Sequence, residues 1–161
     1  MIDAELCLRR GCEAEEAGDY ELARTCYERA AALRDPIGLT NLAYLYDVGL
    51  GVAADKARAM QLYRRAWRLH GDGCAANNIA ILYRERGDRR AMVRWYQRCA
   101  ATGDGDAQVE LAKCYRDGLG VRRSPEHMAR RLAAALASSH VTDAAREEAE
   151  AMMAAIRPRV V

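Results

Sequence analysis

The sequence predicts an all-α chain of four helix-turn-helix repeats closed by a terminal helix, and three observations predict it. Alanine occurs 32 times, phenylalanine never, and only three prolines interrupt the 161 residues. Alanine, leucine, arginine, glutamate and methionine favour helix, while β-branched residues are scarce and no Asn-Gly or Asp-Gly turn sits between alternating apolar runs. The second observation is internal repetition. Leu45-Tyr46-Asp47-Val48-Gly49-Leu50-Gly51-Val52 recurs as Cys114-Tyr115-Arg116-Asp117-Gly118-Leu119-Gly120-Val121, and Leu82-Tyr83-Arg84-Glu85-Arg86-Gly87-Asp88 lies midway between the copies. The period is near 35 residues, the length of a helix pair. The third is a stripe at i, i+4 and i+7 that repeats with it: Ala23, Tyr27, Ala30, then Ala59, Tyr63, Ala66, then Met92, Tyr96, Cys99, then Met128, Leu132, Ala135. That spacing lines one face of a helix.

The elements follow in order. Residues 1–34 form the first repeat, with Glu15-Glu16-Ala17-Gly18-Asp19-Tyr20 as its turn; it departs from the others by placing Arg10 where Leu42, Ile79 and Leu111 stand. The second spans 35–72 and opens on Asp35-Pro36, an N-cap followed by proline at the first helical position. The third, 73–104, turns at Gly87-Asp88-Arg89, and the fourth, 105–140, opens its second helix on Ser124-Pro125. Gly18, Gly49, Gly71, Gly87, Gly103 and Gly118 fall at the predicted helix ends. Residues 141–161 hold one more amphipathic helix, Thr142 to Ile156, with Ala145, Ala149, Met152, Met153 and Ile156 on one side, and a short tail.

Two-helix units of this length, with Leu-Ala-x-x-Tyr-x-x-Gly-x-Gly-Val and then Ala-x-x-x-Tyr-x-x-Ala, resemble Sel-one-like repeats, relatives of tetratricopeptide repeats. The second and fourth units match through their turns, and the first and third resemble the shorter tetratricopeptide spacing. The resemblance covers roughly residues 4–140. It implies a right-handed α-α superhelical solenoid whose concave face is lined by the first helix of each unit, and a role in holding partners together.

Charge and composition exclude several classes. Residues 1–22 carry seven acids against Arg9 and Arg10, so the overall +2 hides an acidic N-terminal segment and a basic remainder. No apolar run is long enough to span a membrane, and acids stand at positions 3 and 5 where a signal peptide is basic and then apolar. A cytoplasmic location without membrane contact is expected. The Gly-x-Gly turns are read as turns, since a dinucleotide fingerprint needs a strand before it. The six cysteines include no Cys-x-x-Cys pair, so no metal and no cofactor are expected, and the thiols read as small buried core residues. Cys12, on the predicted groove side, is the one candidate for thiol chemistry, and the acids around it disfavour a thiolate.

No catalytic residues are assigned. His70, His127 and His140 fall near helix ends with no repeating partner, and Glu15-Glu16 or Glu147-Glu148 point to different sides of a helix. Arginines such as Arg84, Arg86, Arg89, Arg90, Arg94 and Arg98 raise nucleic-acid binding, but Glu85, Asp88, Asp104, Asp106, Glu110 and Asp117 interleave with them and disfavour it.

The stripe beside the core stripe of each first helix should line the concave surface. It reads Leu8, Cys12, Glu15, then Thr40, Tyr44, Asp47, then Asn77, Ile81, Arg84, then Val109, Lys113, Arg116. These triplets do not repeat while their neighbours do, as expected if architecture fixes one set and a ligand the other. The expectation is a non-enzymatic adaptor, monomeric or weakly dimeric, holding a partner segment with acidic groups against Arg84, Lys113 and Arg116 and apolar groups against Tyr44 and Ile81. A dedicated inhibitor or chaperone of one protein, such as a toxin's immunity partner, is the alternative, and nucleic-acid binding a further one.

Overall fold

A computed structural model describes residues 3–156. Among them are nine helices: α1 (Ala4–Glu16), α2 (Tyr20–Ala32), α3 (Pro36–Val48), α4 (Lys56–His70), α5 (Gly73–Glu85), α6 (Arg89–Ala101), α7 (Gly105–Asp117), α8 (Pro125–Ala137) and α9 (Asp143–Ile156). Capping sets most of the starts. The side chains of Asp19, Asp35, Asp55, Asp88, Asp104 and Ser124 each accept from the backbone N–H three residues on, satisfying a donor that the helix itself leaves open.

The chain divides into two compact units, residues 1–79 and 80–161. In the first, α1 packs on α2 and α3 on α4, with α2 against α3. Tyr27 and Tyr63 are completely buried at its centre, with Leu39 and Leu45. Each buried leucine contributes about 1.5–3 kcal/mol. The aromatic rings need small residues opposite them. A Cβ on Gly11 would collide with the Tyr27 ring, and Ala43 is buried one repeat later. The first helix is therefore seated although Arg10, in the place of Leu42, is exposed; Cys7, Gly11 and Ala14 bury its inner face.

In the second unit α7 packs on α8, α6 on α7, and α9 on both α7 and α8. Tyr96, Leu111 and Leu132 are buried. Val109, Ala112, Leu132, Ala135 and Ala149 form one cluster, flanked by Met128, Leu136, Ala145, Met152, Met153 and Ile156. The apolar side of α9 thus closes the last helix pair as its sequence pattern predicts.

The Gly-x-Gly turns have a specific duty within each unit. Gly51, at φ +63°, would place a Cβ 2.5 Å from the Tyr20 carbonyl carbon, and Gly120, at φ +73°, would drive one into the Arg89 carbonyl. Tyr20 opens α2 and Arg89 opens α6. The turn after the first helix of an even-numbered repeat therefore sits on the start of the second helix of the repeat before it.

The reading of the cysteines as small buried residues holds for Cys7, Cys26, Cys99 and Cys114; Cys12 is half-buried and Cys74 is exposed. Cys74 stands at the outer edge of a helix start, like Ile37, which is itself exposed.

Candidate protein-interaction faces

In the first unit, Leu8, Cys12 and Glu15 are all half-buried on α1. Glu15 is already engaged: the Tyr27 hydroxyl donates to Glu15 Oε2 at 2.7 Å and lies 3.6 Å from Cys12 Sγ. Burial, then the hydrogen bond to Glu15, push the Tyr27 phenol far above its ordinary range. On α3 the predicted triplet divides. Thr40 is buried and donates to Asp72 Oδ2 at 2.6 Å, while Asp72 also accepts from the N–H groups of Cys74 and Ala75. Thr40 therefore joins α3 to the start of α5 and is not part of an open surface. Asp47 faces Lys56 Nζ at 3.5 Å with its side chain 16% exposed. Asn77 on α5 is half-buried.

Tyr44 is the member of that triplet that is open, at 42% exposure, and it has company that the sequence reading did not place there. Ile37 and Val48 are each 52% exposed. With Asn41 they fall at i, i+4, i+7 and i+11, a single outward stripe of α3. The signal lies in Pro36–Val48, where apolar residues fall on the packed and the outward sides alike; one face of such a helix packs and the other is left to solvent or a partner. Beneath this region the Tyr63 hydroxyl is buried with no hydrogen-bond partner among the described residues. Burial and the nearby Asp47 carboxylate raise its pKa.

In the second unit, Ile81 is half-buried and Arg84 exposed. Arg84 lies 3.6 Å from Glu110 Oε2. Lys113 Nζ lies 2.5 Å from Glu110 Oε1 and 3.1 Å from Glu148 Oε2 on α9, so that although burial alone would lower its pKa, the two carboxylates raise it. Arg116 makes two bonds of 2.8 Å to Asp117. The three basic residues expected to meet a partner's acids are therefore each paired within the chain. Val109 is only 2% exposed and belongs to the core beneath α9.

The remaining chemistry is sparse. His70, His127 and His140 are exposed, and the His127 ring stacks on Tyr115 with centroids 5.0 Å apart. Among the described residues no three His, Cys, Asp or Glu side chains converge as a metal site, and no helix is long and apolar enough to cross a membrane.

The Sel1 repeat family model matches residues 7–35, 36–70 and 105–138. No curated protein sequence matches the chain. A crystal structure of a Sel1 repeat protein from Oxalobacter formigenes is similar over 94% of this chain and 62% of its own, with a TM-score of 0.82 and 24% identity. Another, c5321, a protective antigen of uropathogenic Escherichia coli strains displaying an SLR fold, is similar over 83% of this chain and 30% of its own, with a TM-score of 0.72 and 25% identity. The chain thus spans about three fifths and three tenths of the lengths of these two structures. Proteins built from Sel1 repeats are generally protein-interaction scaffolds. The three matched repeats cover more than half of the sequence, and the chain belongs to the Sel1 repeat family, an all-α helical repeat solenoid.

Proposed function

We propose that the chain is a non-enzymatic adaptor that holds a segment of another protein against the first helices of its repeats. The observation that carries this reading is the outward stripe of Ile37, Tyr44 and Val48 on α3. Aligned apolar residues of this size on an exposed helix face mark contact surfaces, and a tyrosine among aliphatic neighbours makes a suitable anchor. Acidic groups on a partner remain compatible with Arg84, Lys113 and Arg116. Their present pairs are at least partly solvent-exposed and exchange at small cost.

The test is affinity capture from the native host's lysate with the wild-type chain and with Ile37→Ser, Tyr44→Ala, Val48→Ser combined, helicity being checked by circular dichroism. A protein held by the wild type and lost by the folded variant is the expected result. Equal retention by both would remove α3 from the binding face.

A further inference from the structure

The outer face of α6 is a stripe of arginines. After Arg89 at its first position, the exposed residues of α6 are Arg90, Arg94, Gln97, Arg98 and Ala101, between buried flanks, and Arg90, Arg94 and Arg98 follow one another at i, i+4 and i+8, about 6 Å apart along the axis. Like charges at this spacing oppose helix formation. The repeat does not require them: the same positions hold Glu21, Thr25 and Arg29 in α2, and Glu126, Arg130 and Ala134 in α8.

Five of the six acids that interleave with these arginines in sequence are engaged elsewhere. Asp88 and Asp104 cap α6 and α7, Glu110 faces Arg84 and Lys113, Asp106 holds Thr142, and Asp117 holds Arg116. No acid among the described residues pairs with Arg90 or Arg94, and Arg98 is fixed over the Trp95 ring at 4.3 Å. Each of these five acids thus has a partner other than Arg90 or Arg94.

A matching surface lies on α9. Asp143, Glu147 and Glu150 are exposed at i, i+4 and i+7 with Ala154 beyond them, and none of the three pairs with a cation among the described residues. A depression of about 210 Å³ lined by Leu136, Glu150, Met153 and Ala154 borders the stripe, of a kind that accepts the aliphatic stem of an arginine.

We propose that copies of this chain associate through the arginine stripe of α6 on one copy and the acidic stripe of α9 on another. Arg98, Arg94 and Arg90 meet Asp143, Glu147 and Glu150 in antiparallel order at nearly equal spacing. Because the two faces differ, the contact is head-to-tail and leaves one face of each kind free at the ends of the assembly. It involves neither Tyr44 nor its neighbours on α3, so it stands or falls apart from the adaptor reading.

The test is sedimentation velocity of the full chain over a concentration series at low and high salt. The wild type should associate at low salt and dissociate as salt screens the contact. Arg90→Glu with Arg94→Glu, and separately Glu147→Lys with Glu150→Lys, should each weaken association roughly tenfold or more; an equimolar mixture of the two variants should restore it. All four positions are exposed, and circular dichroism verifies that both variants fold. A wild type that stays monomeric at every concentration overturns the proposal. So does association that survives either charge reversal, or a mixture that fails to restore it. A monomer that instead retains a single-stranded DNA oligonucleotide through Arg90 and Arg94 would assign the stripe to nucleic acid and overturn it as well.

Discussion

The Tyr27 hydroxyl reaches across the first helix pair to donate to Glu15 at 2.7 Å, whereas its repeat equivalent, the Tyr63 hydroxyl, is buried without a partner among the described residues. The same residue type in the same place thus carries opposite energetic signs. Tyr27→Phe leaves a half-buried carboxylate without its donor and is expected to cost about 1.5–3 kcal/mol. Tyr63→Phe removes only a desolvated hydroxyl and should be neutral or stabilising by about 1 kcal/mol. Urea unfolding of the two variants checks this, and equal losses in both would refute the asymmetry.

The buried tyrosines also set an alkaline limit. Tyr27, Tyr63 and Tyr96 have folded-state pKa values raised above the ordinary 10, in each case first by burial. The folded chain keeps these protons at a pH where the unfolded chain releases them. Their contribution is therefore intact below about pH 10 and is lost as pH rises further, by up to about 1.4 kcal/mol per pH unit for each tyrosine. Thermal melts between pH 9 and 11, values taken about the ordinary tyrosine pKa, should show a steep fall that Tyr63→Phe makes shallower. An unchanged slope would exclude Tyr63 as a contributor.

Gly51→Ala should be far more damaging than Gly87→Ala, although both glycines have positive φ. A left-handed conformation costs a non-glycine residue about 1–2 kcal/mol wherever it occurs. At Gly87 nothing lies within 4 Å of an added Cβ, but at Gly51 it would strike the Tyr20 backbone, which cannot move aside without disturbing the start of α2. Melting temperatures of the two variants separate the costs, and equal shifts would deny the contact its role.

The helices, their caps and their core stripes were legible because each repeats. Ala23, Tyr27 and Ala30 agree with Ala59, Tyr63 and Ala66 only if they do the same work, and Asp35 before Pro36 declares a helix start by local chemistry alone. The interaction faces repeat nothing, so one offset applied to all four first helices placed Tyr44 on the open face but also took in Thr40 and Val109, which are buried. Thr40 is fixed by Asp72, more than thirty residues away, and Val109 is covered by α9. Neither relation has a sequence spacing that announces it. Ile37 and Val48 lie in a helix that carries apolar residues on its packed and outward sides alike, so periodicity alone does not mark them as exposed.

The closure of the last helix pair by α9 rests on its apolar contacts rather than its ion pair, and two neighbouring residues separate these effects. Glu148 pairs with Lys113 at 3.1 Å, but its side chain is 43% exposed, so Glu148→Ala should cost less than about 1 kcal/mol. Ala149 is wholly buried against Val109, Ala112, Leu132 and Ala135. Ala149→Asp places an unpaired carboxylate among them and is expected to cost about 3 kcal/mol or more, or to release α9 altogether. Hydrogen exchange gives the readout: Glu148→Ala should leave the amides of α9 protected, while Ala149→Asp should expose them together with those of α7 and α8 that α9 covers. Loss of protection on Glu148→Ala alone would show that the ion pair, and not the apolar face, holds α9 in place.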